Sequence, residues 1–253
     1  MRLARLLLTA LHLSQQGKNS LATSVIKPSD TIATGDLIFV SPPYDVTSAL
    51  DDAILASGEA TVRWMRENGT PNATREVASH VVLAWRNDAG QLSFVQALPP
   101  EVVVTPEADF WHMVGPGTVL YHAAPLDEAE RTAGTAAAEW ALAQVGKPYA
   151  NDFEPPPDEF YCSSLVEWAY RQALASDSVF APADFTLIFV PERYWQRYYE
   201  AMGSNLPVNT TGSNPTLLLH SSKLTFSVLP WNGTSEERSK EPVLSSNLGT
   251  SHL

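Results

Sequence analysis

Apolar positions in the first two-thirds of the chain fall into short, nearly continuous runs separated by turn-forming residues, a pattern that predicts buried strands joined by tight connections. Asp36-Leu37-Ile38-Phe39-Val40, entered through Gly35, reads as one such strand. Ser79-His80-Val81-Val82-Leu83-Ala84-Trp85 reads as a second, and Asn87-Asp88-Ala89-Gly90 turns it into a third at Leu92 to Ala97. Further strands are expected at Glu101 to Thr105 and Thr118 to Ala123. Helical spacing appears at Leu50 to Arg66, ahead of a Gly/Asn/Pro-rich loop, and again over the Ala- and Glu-rich Asp127 to Val145, which Gly146 and Pro148 bring to a stop. Leu165, Val166, Ala169 and Ala173 share a face of a helix that starts near Cys162, and Pro191 opens a last helix running through Met202. Hairpin-linked strands followed by grouped helices predict an α+β fold rather than a doubly wound sheet.

Composition divides the chain into three stretches. Residues 24–204 carry the strand and helix signals. Residues 205–253 shift toward Ser, Asn, Thr and Gly, and read as a partly disordered tail with apolar breaks at Leu217-Leu218-Leu219 and at Phe226 to Trp231. In residues 1–23, Arg2 and Arg5 precede the apolar run Leu6 to Leu13, which reads either as a secretory signal with a cleavage region near Leu21-Ala22-Thr23 or as an amphipathic first helix. The sequons at Asn68, Asn72, Asn209 and Asn232 favour the first reading, and with it a secreted or cell-envelope glycoprotein; retention of the N-terminus would mean a cytoplasmic one. No run is long enough to span a bilayer as a helix. The formal net charge of −12, from 28 acidic and 16 basic side chains, argues against nucleic acid as a partner. No obligate protein partner is evident.

A single cysteine excludes an intramolecular disulfide and a zinc site built from several thiolates. Tyr161-Cys162-Ser163-Ser164-Leu165-Val166 puts that thiol at a helix start, where free N–H groups and the helix dipole stabilise a thiolate and can hold an oxyanion. Such a nucleophile needs a base. Of six histidines, His12 lies in the N-terminal run and His220 and His252 lie in the tail. His80 lies in a buried-strand pattern beside small Ala78 and Ser79, and is favoured over His112 and His122, which nothing nearby distinguishes.

Gly146-Lys147-Pro148-Tyr149, followed by Tyr161-Cys162-Ser163-Ser164-Leu165-Val166 and Tyr170, resembles the nucleophile region of NlpC-type papain-like peptidases. In those enzymes the Gly-Asp-Leu strand and the catalytic His follow the Cys. Here Gly35-Asp36-Leu37 and Ser79-His80-Val81 precede it, the order of the circularly permuted YaeF/YiiX-type papain-like amidases. The similarity runs from about Gly35 to Pro191. It implies a permuted papain-like fold, with an antiparallel sheet or partial barrel packed against helices. It also implies Cys162 as nucleophile, His80 as general base and Tyr149 as an oxyanion donor. The imidazole-orienting residue falls on Gln96, where the family pattern leads one to expect Glu. An amide oxygen can accept the imidazole N–H but stabilises an imidazolium less than a carboxylate does. Asp36 and Ser79 read as structural, and Ser163 and Ser164 as helix-capping hydroxyls.

The expected activity is cysteine-dependent hydrolysis of an amide or peptide bond through a thioester, on a small peptide, amide or acyl substrate, with no metal or organic cofactor needed. Two alternatives stand beside it: a non-catalytic binding module that keeps the cleft, which Gln96 brings into view, and a lipid N-acyl or ester hydrolase-acyltransferase related to lecithin–retinol acyltransferase. The Asn-Cys-Glu signature of the latter is missing.

Overall fold

A computed structural model describes residues 28–45, 48–70, 73–154 and 156–230. The expectations placed on residues 1–23, His12, Asn72, Asn232 and His252 lie outside the described residues. The strands are β1 (Leu37–Ser41), β2 (His80–Arg86), β3 (Leu92–Leu98), β4 (Glu101–Pro106), β5 (Val119–Pro125) and β6 (Leu224–Leu229). They form a six-stranded sheet in the order β4-β3-β2-β1-β5-β6, antiparallel throughout. The helices are α1 (Ala49–Glu67), α2 (Glu107–Met113), α3 (Glu128–Leu142), α4 (Cys162–Leu174), α5 (Glu192–Ala201) and α6 (Pro215–Leu219). This is the α+β, antiparallel arrangement that the strand and helix signals predicted.

Side-chain alternation gives the sheet two packed faces. Leu37, Leu83 and Val95 join the larger core, shared with α1, α3, α4 and α6. Ile38, Val82 and Phe94 form a smaller core with Phe110 of α2 and Leu229 of β6. Residues beyond 204 belong to this body: Leu217, Leu218 and Leu219 are buried, and β6 pairs with β5 along its whole length. The folded unit therefore extends past the boundary that the shift to Ser, Asn and Thr suggested.

Two contacts fix α4, which carries the cysteine, and a third seats the entrance of β1 to which it is tied. Gly35, at φ +93°, lies so close to Gly134 of α3 that an added Cβ would stand 2.5 Å from the Gly134 Cα, so this crossing requires glycine. Tyr170 of α4 donates its hydroxyl proton to the Gly35 carbonyl, tying the helix to the entrance of β1. Glu167, 1% exposed, accepts the N–H groups of Val179, Phe180 and Ala181 and pairs with Arg171, which anchors the chain leaving α4.

Candidate active site

Cys162 is the first residue of α4, and Tyr161 is its N-cap. Ser164 closes the turn: its hydroxyl accepts the Tyr161 N–H at 3.0 Å and donates to the Tyr161 carbonyl at 3.0 Å. Ser163 donates to the Ser213 carbonyl, and the Ser213 N–H donates to the Tyr161 hydroxyl, so the helix start is also clamped from the far end of the chain. Ser164 thus caps the helix as expected, whereas the Ser163 hydroxyl is spent on a distant segment rather than on the cap.

Tyr149 reaches the same place by another route. Gly146, at φ +86°, reverses the chain after α3. The segment then runs antiparallel along the start of β4, with the Gly146 N–H bonded to the Val102 carbonyl and the Tyr149 N–H to the Pro100 carbonyl, both at 2.9 Å. Tyr149 also bridges to Phe160, two residues before Cys162. Burial raises the Tyr149 phenol well above its ordinary range, and Cys162 is the first charge to add to the effect. The phenol is therefore a neutral O–H donor in the electrostatic neighbourhood of the sulfur.

His80 opens β2. By register it faces Val40, yet the Ser79 N–H donates to that same Val40 carbonyl at 2.9 Å. Two residues opposite one is the signature of a bulge, and it frees the start of the strand from strict alternation. The His80 Nε2 lies 2.7 Å from the Gln96 Oε1 on β3. The Gln96 amide nitrogen donates to the Thr105 Oγ1 of β4 at 2.6 Å, which turns the amide oxygen toward the imidazole. The oxygen accepts a hydrogen bond from Nε2–H and leaves Nδ1 as the basic nitrogen. Gln96 is 1% exposed, and this network accounts for both ends of its amide. Thr105 is a member of the network that the sequence analysis did not single out.

The thiol and the imidazole share a neighbourhood without a hydrogen bond between them. The N–H groups of Val81 and Ser163 come within reach of the Cys162 sulfur, so the start of α4 meets the start of β2 beside His80. Among the described residues, however, no hydrogen bond joins Cys162 to His80. The electrostatics also differ from the expectation of a depressed thiol. Burial pushes Cys162 up to about 12, outweighing the N–H groups that oppose it. Burial likewise holds His80 below its ordinary value, against the Gln96 hydrogen bond and the charge of Asp51. Both shifts favour the neutral thiol and the neutral imidazole over the ion pair.

Asp51 was not anticipated. It sits in the first turn of α1, where the Ser48 hydroxyl donates to its carboxylate at 2.7 Å, and its charge acts on His80, Cys162 and Tyr149 alike. The only sequence signal for it is the Ser-x-x-Asp capping pattern, which speaks to the helix and not to the cleft. His122 and Asp36 prove to be partners: Nε2 meets Oδ2 at 2.7 Å, and the same oxygen accepts the Ala33 N–H. His220 bonds the Glu76 carbonyl at 2.8 Å, away from the thiol.

A pocket that Cys162 helps to line is walled by Ile54, Phe153, Leu187, Ile188, Phe189 and Trp195. Among the described residues no group of three or more His, Cys, Asp or Glu side chains is disposed to hold a metal, and no helix is long and apolar enough to cross a membrane.

Comparison with known proteins places this arrangement. The crystal structure of the metalloprotein YiiX from Escherichia coli O157:H7 superposes with a TM-score of 0.59 at 21% identity, over 79% of this chain and 98% of that one, a likeness of fold. No curated protein matches the chain. Residues 31–226 match the family model of the permuted papain-like amidases, so by sequence as well as by fold the chain belongs to that family of enzymes, the YaeF/YiiX or C92 family.

Proposed function

We propose that the protein is a cysteine amidase or peptidase in which Cys162 attacks an amide or ester carbonyl and His80 serves as its base. The observation that carries this reading is the row His80–Gln96–Thr105, which leaves the imidazole with one basic nitrogen beside the start of the helix that bears the thiol. Because both groups favour their neutral forms, proton transfer accompanies attack rather than preceding it: Nδ1 takes the thiol proton as the sulfur–carbon bond forms. Catalytic hydrogen bonds commonly tighten only when substrate binds, and the sulfur–imidazole hydrogen bond forms at that stage. The Cys162 N–H at the head of α4 and the Tyr149 hydroxyl supply oxyanion donors. His80 then passes its proton to the leaving group, and water cleaves the thioester.

A second reading, a binding module that does not turn over, is favoured by the lack of a hydrogen bond between Cys162 and His80, in keeping with the burial that raises the thiol. Intact-mass analysis after mixing with p-nitrophenyl acetate separates the two. The enzyme reading requires an acetyl adduct on Cys162 that forms at neutral pH and then disappears by hydrolysis, and that Cys162→Ala abolishes. An unmodified Cys162, with no burst of p-nitrophenolate, contradicts it.

A further inference from the structure

A second pocket is lined by Trp168 and Arg171 of α4, by Pro156 and Ala183, and by residues 211–213. Cys162 does not line it. Tyr161 and Ser213 do, and they also line the pocket of Cys162, so the two spaces share a wall. That wall is tightly built. The Ser213 N–H donates to the Tyr161 hydroxyl at 3.1 Å, and a Cβ on Gly212 would stand 2.5 Å from the same oxygen.

The polar groups of this second pocket are unequally satisfied. The Glu167 carboxylate is surrounded by donors: Oε1 accepts the Val179 N–H and the Arg171 Nε–H, and Oε2 accepts the N–H groups of Phe180 and Ala181. Arg171 spends only its Nε on that bond. Its two Nη groups make no hydrogen bond among the described residues, although the side chain is only 20% exposed. A guanidinium sheltered to that degree normally finds acceptors for its whole fork. The Ser213 hydroxyl is a second idle group. It is buried and lies close enough to Tyr161 to act on the phenol, but its oxygen has no hydrogen-bond partner. The Arg171 charge reaches the same phenol, so the idle groups converge on one end of the pocket.

Both idle groups can donate, and the acceptor beside them, Glu167, is already saturated. Among the described residues Arg171 is the only cation lining the pocket. One guanidinium fork beside an aromatic ring suits a monoanion with an apolar body; the second charge of a dianion would be buried with nothing to offset it. The geometry points to a binding site for a small carboxylate, with its oxygens on the Arg171 Nη groups, the Ser213 hydroxyl as a further donor, and its apolar part against Trp168, Pro156 and Ala183. The site abuts Tyr161, the N-cap of the helix that carries Cys162. Binding here needs no reactivity at Cys162.

Nuclear magnetic resonance titrations of the full chain at neutral pH test it, with benzoate, its uncharged isostere benzamide, and inorganic phosphate as probes. The expected result is a saturable shift of the Trp168 indole and Gly212 amide signals with benzoate. Benzamide and phosphate should bind at least about tenfold more weakly, the first for want of charge-assisted bonds and the second for its excess charge. Arg171→Gln should weaken benzoate by about tenfold or more. Ala183→Glu, at an exposed position of the rim, keeps Arg171 and its bond to Glu167, and should weaken benzoate through like-charge repulsion even if the arginine variant fails to fold. Benzoate that leaves Trp168 and Gly212 unmoved, benzamide or phosphate that binds as well as benzoate, or unchanged affinity in either folded variant overturns the assignment.

Discussion

Gln96 was the residue that set this chain apart when only its sequence was in view, and the structure gives it a definite part. Its amide oxygen holds the His80 Nε2 and its nitrogen is held in turn by Thr105. Replacing it by leucine removes the group that fixes the tautomer, and acylation should slow by about 100-fold with the fold intact, measured by single-turnover bursts. Gln96→Glu should act differently. A carboxylate at that oxygen favours the imidazolium, so the His80 titration moves up. In the native protein burial holds His80 below 6.5, so activity should persist at pH 6.5 and fall as acid protonates the base at a lower pH. In Gln96→Glu that acid limb should move toward neutrality, which pH–rate profiles check directly; an unmoved limb would mean that another group controls it. His80 and Cys162 could be proposed from the sequence because each stands in a short pattern with a chemical reason. Thr105 and Asp51 were not, since a threonine in a strand and an aspartate at a helix start have local explanations that say nothing of what lies across the fold.

At the scale of elements, the site depends on where α4 begins, and that depends on two buried contacts. Glu167 accepts three backbone N–H groups from the chain that follows the helix. Glu167→Gln turns a donor toward them, and should cost about 3 kcal/mol, or roughly 10 °C in the thermal midpoint, as read by calorimetry. Gly35→Ala sets a Cβ against the Gly134 backbone at a φ of +93° and should cost at least as much, because neither backbone can yield cheaply. Equal midpoints for mutant and native protein would mean that α4 is held elsewhere. Strands β1 to β5 and helices α1, α3, α4 and α5 fell within a few residues of their sequence signals, since their apolar runs and Gly/Pro boundaries are local features. Helix α2 and strand β6 were missed. Glu107–Met113 is held as a helix by Phe110 packing on Phe94 of β3, a tertiary cause that no local period carries.

For the whole molecule, the segment beyond residue 204 shows most clearly where composition misleads. It is rich in Ser, Asn and Thr, yet α6 fills the larger core with three leucines and β6 completes the sheet. Its Ser213–Pro215 stretch also lines the pocket beside Cys162. A chain ended after residue 204 should therefore lose its cooperative unfolding transition, visible in thermal circular dichroism, whereas a native-like transition would show the segment to be dispensable. The same long-range closure joins α4, β2 and β3, elements far apart in sequence, around one thiol and one imidazole. The most direct test of that union is the rate of Cys162 acylation by p-nitrophenyl acetate in native protein and in His80→Ala, measured from pH 5 to 9. If His80 is the base, the variant should be slower by about 100-fold or more at neutral pH and should regain rate only as hydroxide rises. Equal rates and equal pH dependence in the two proteins would contradict it.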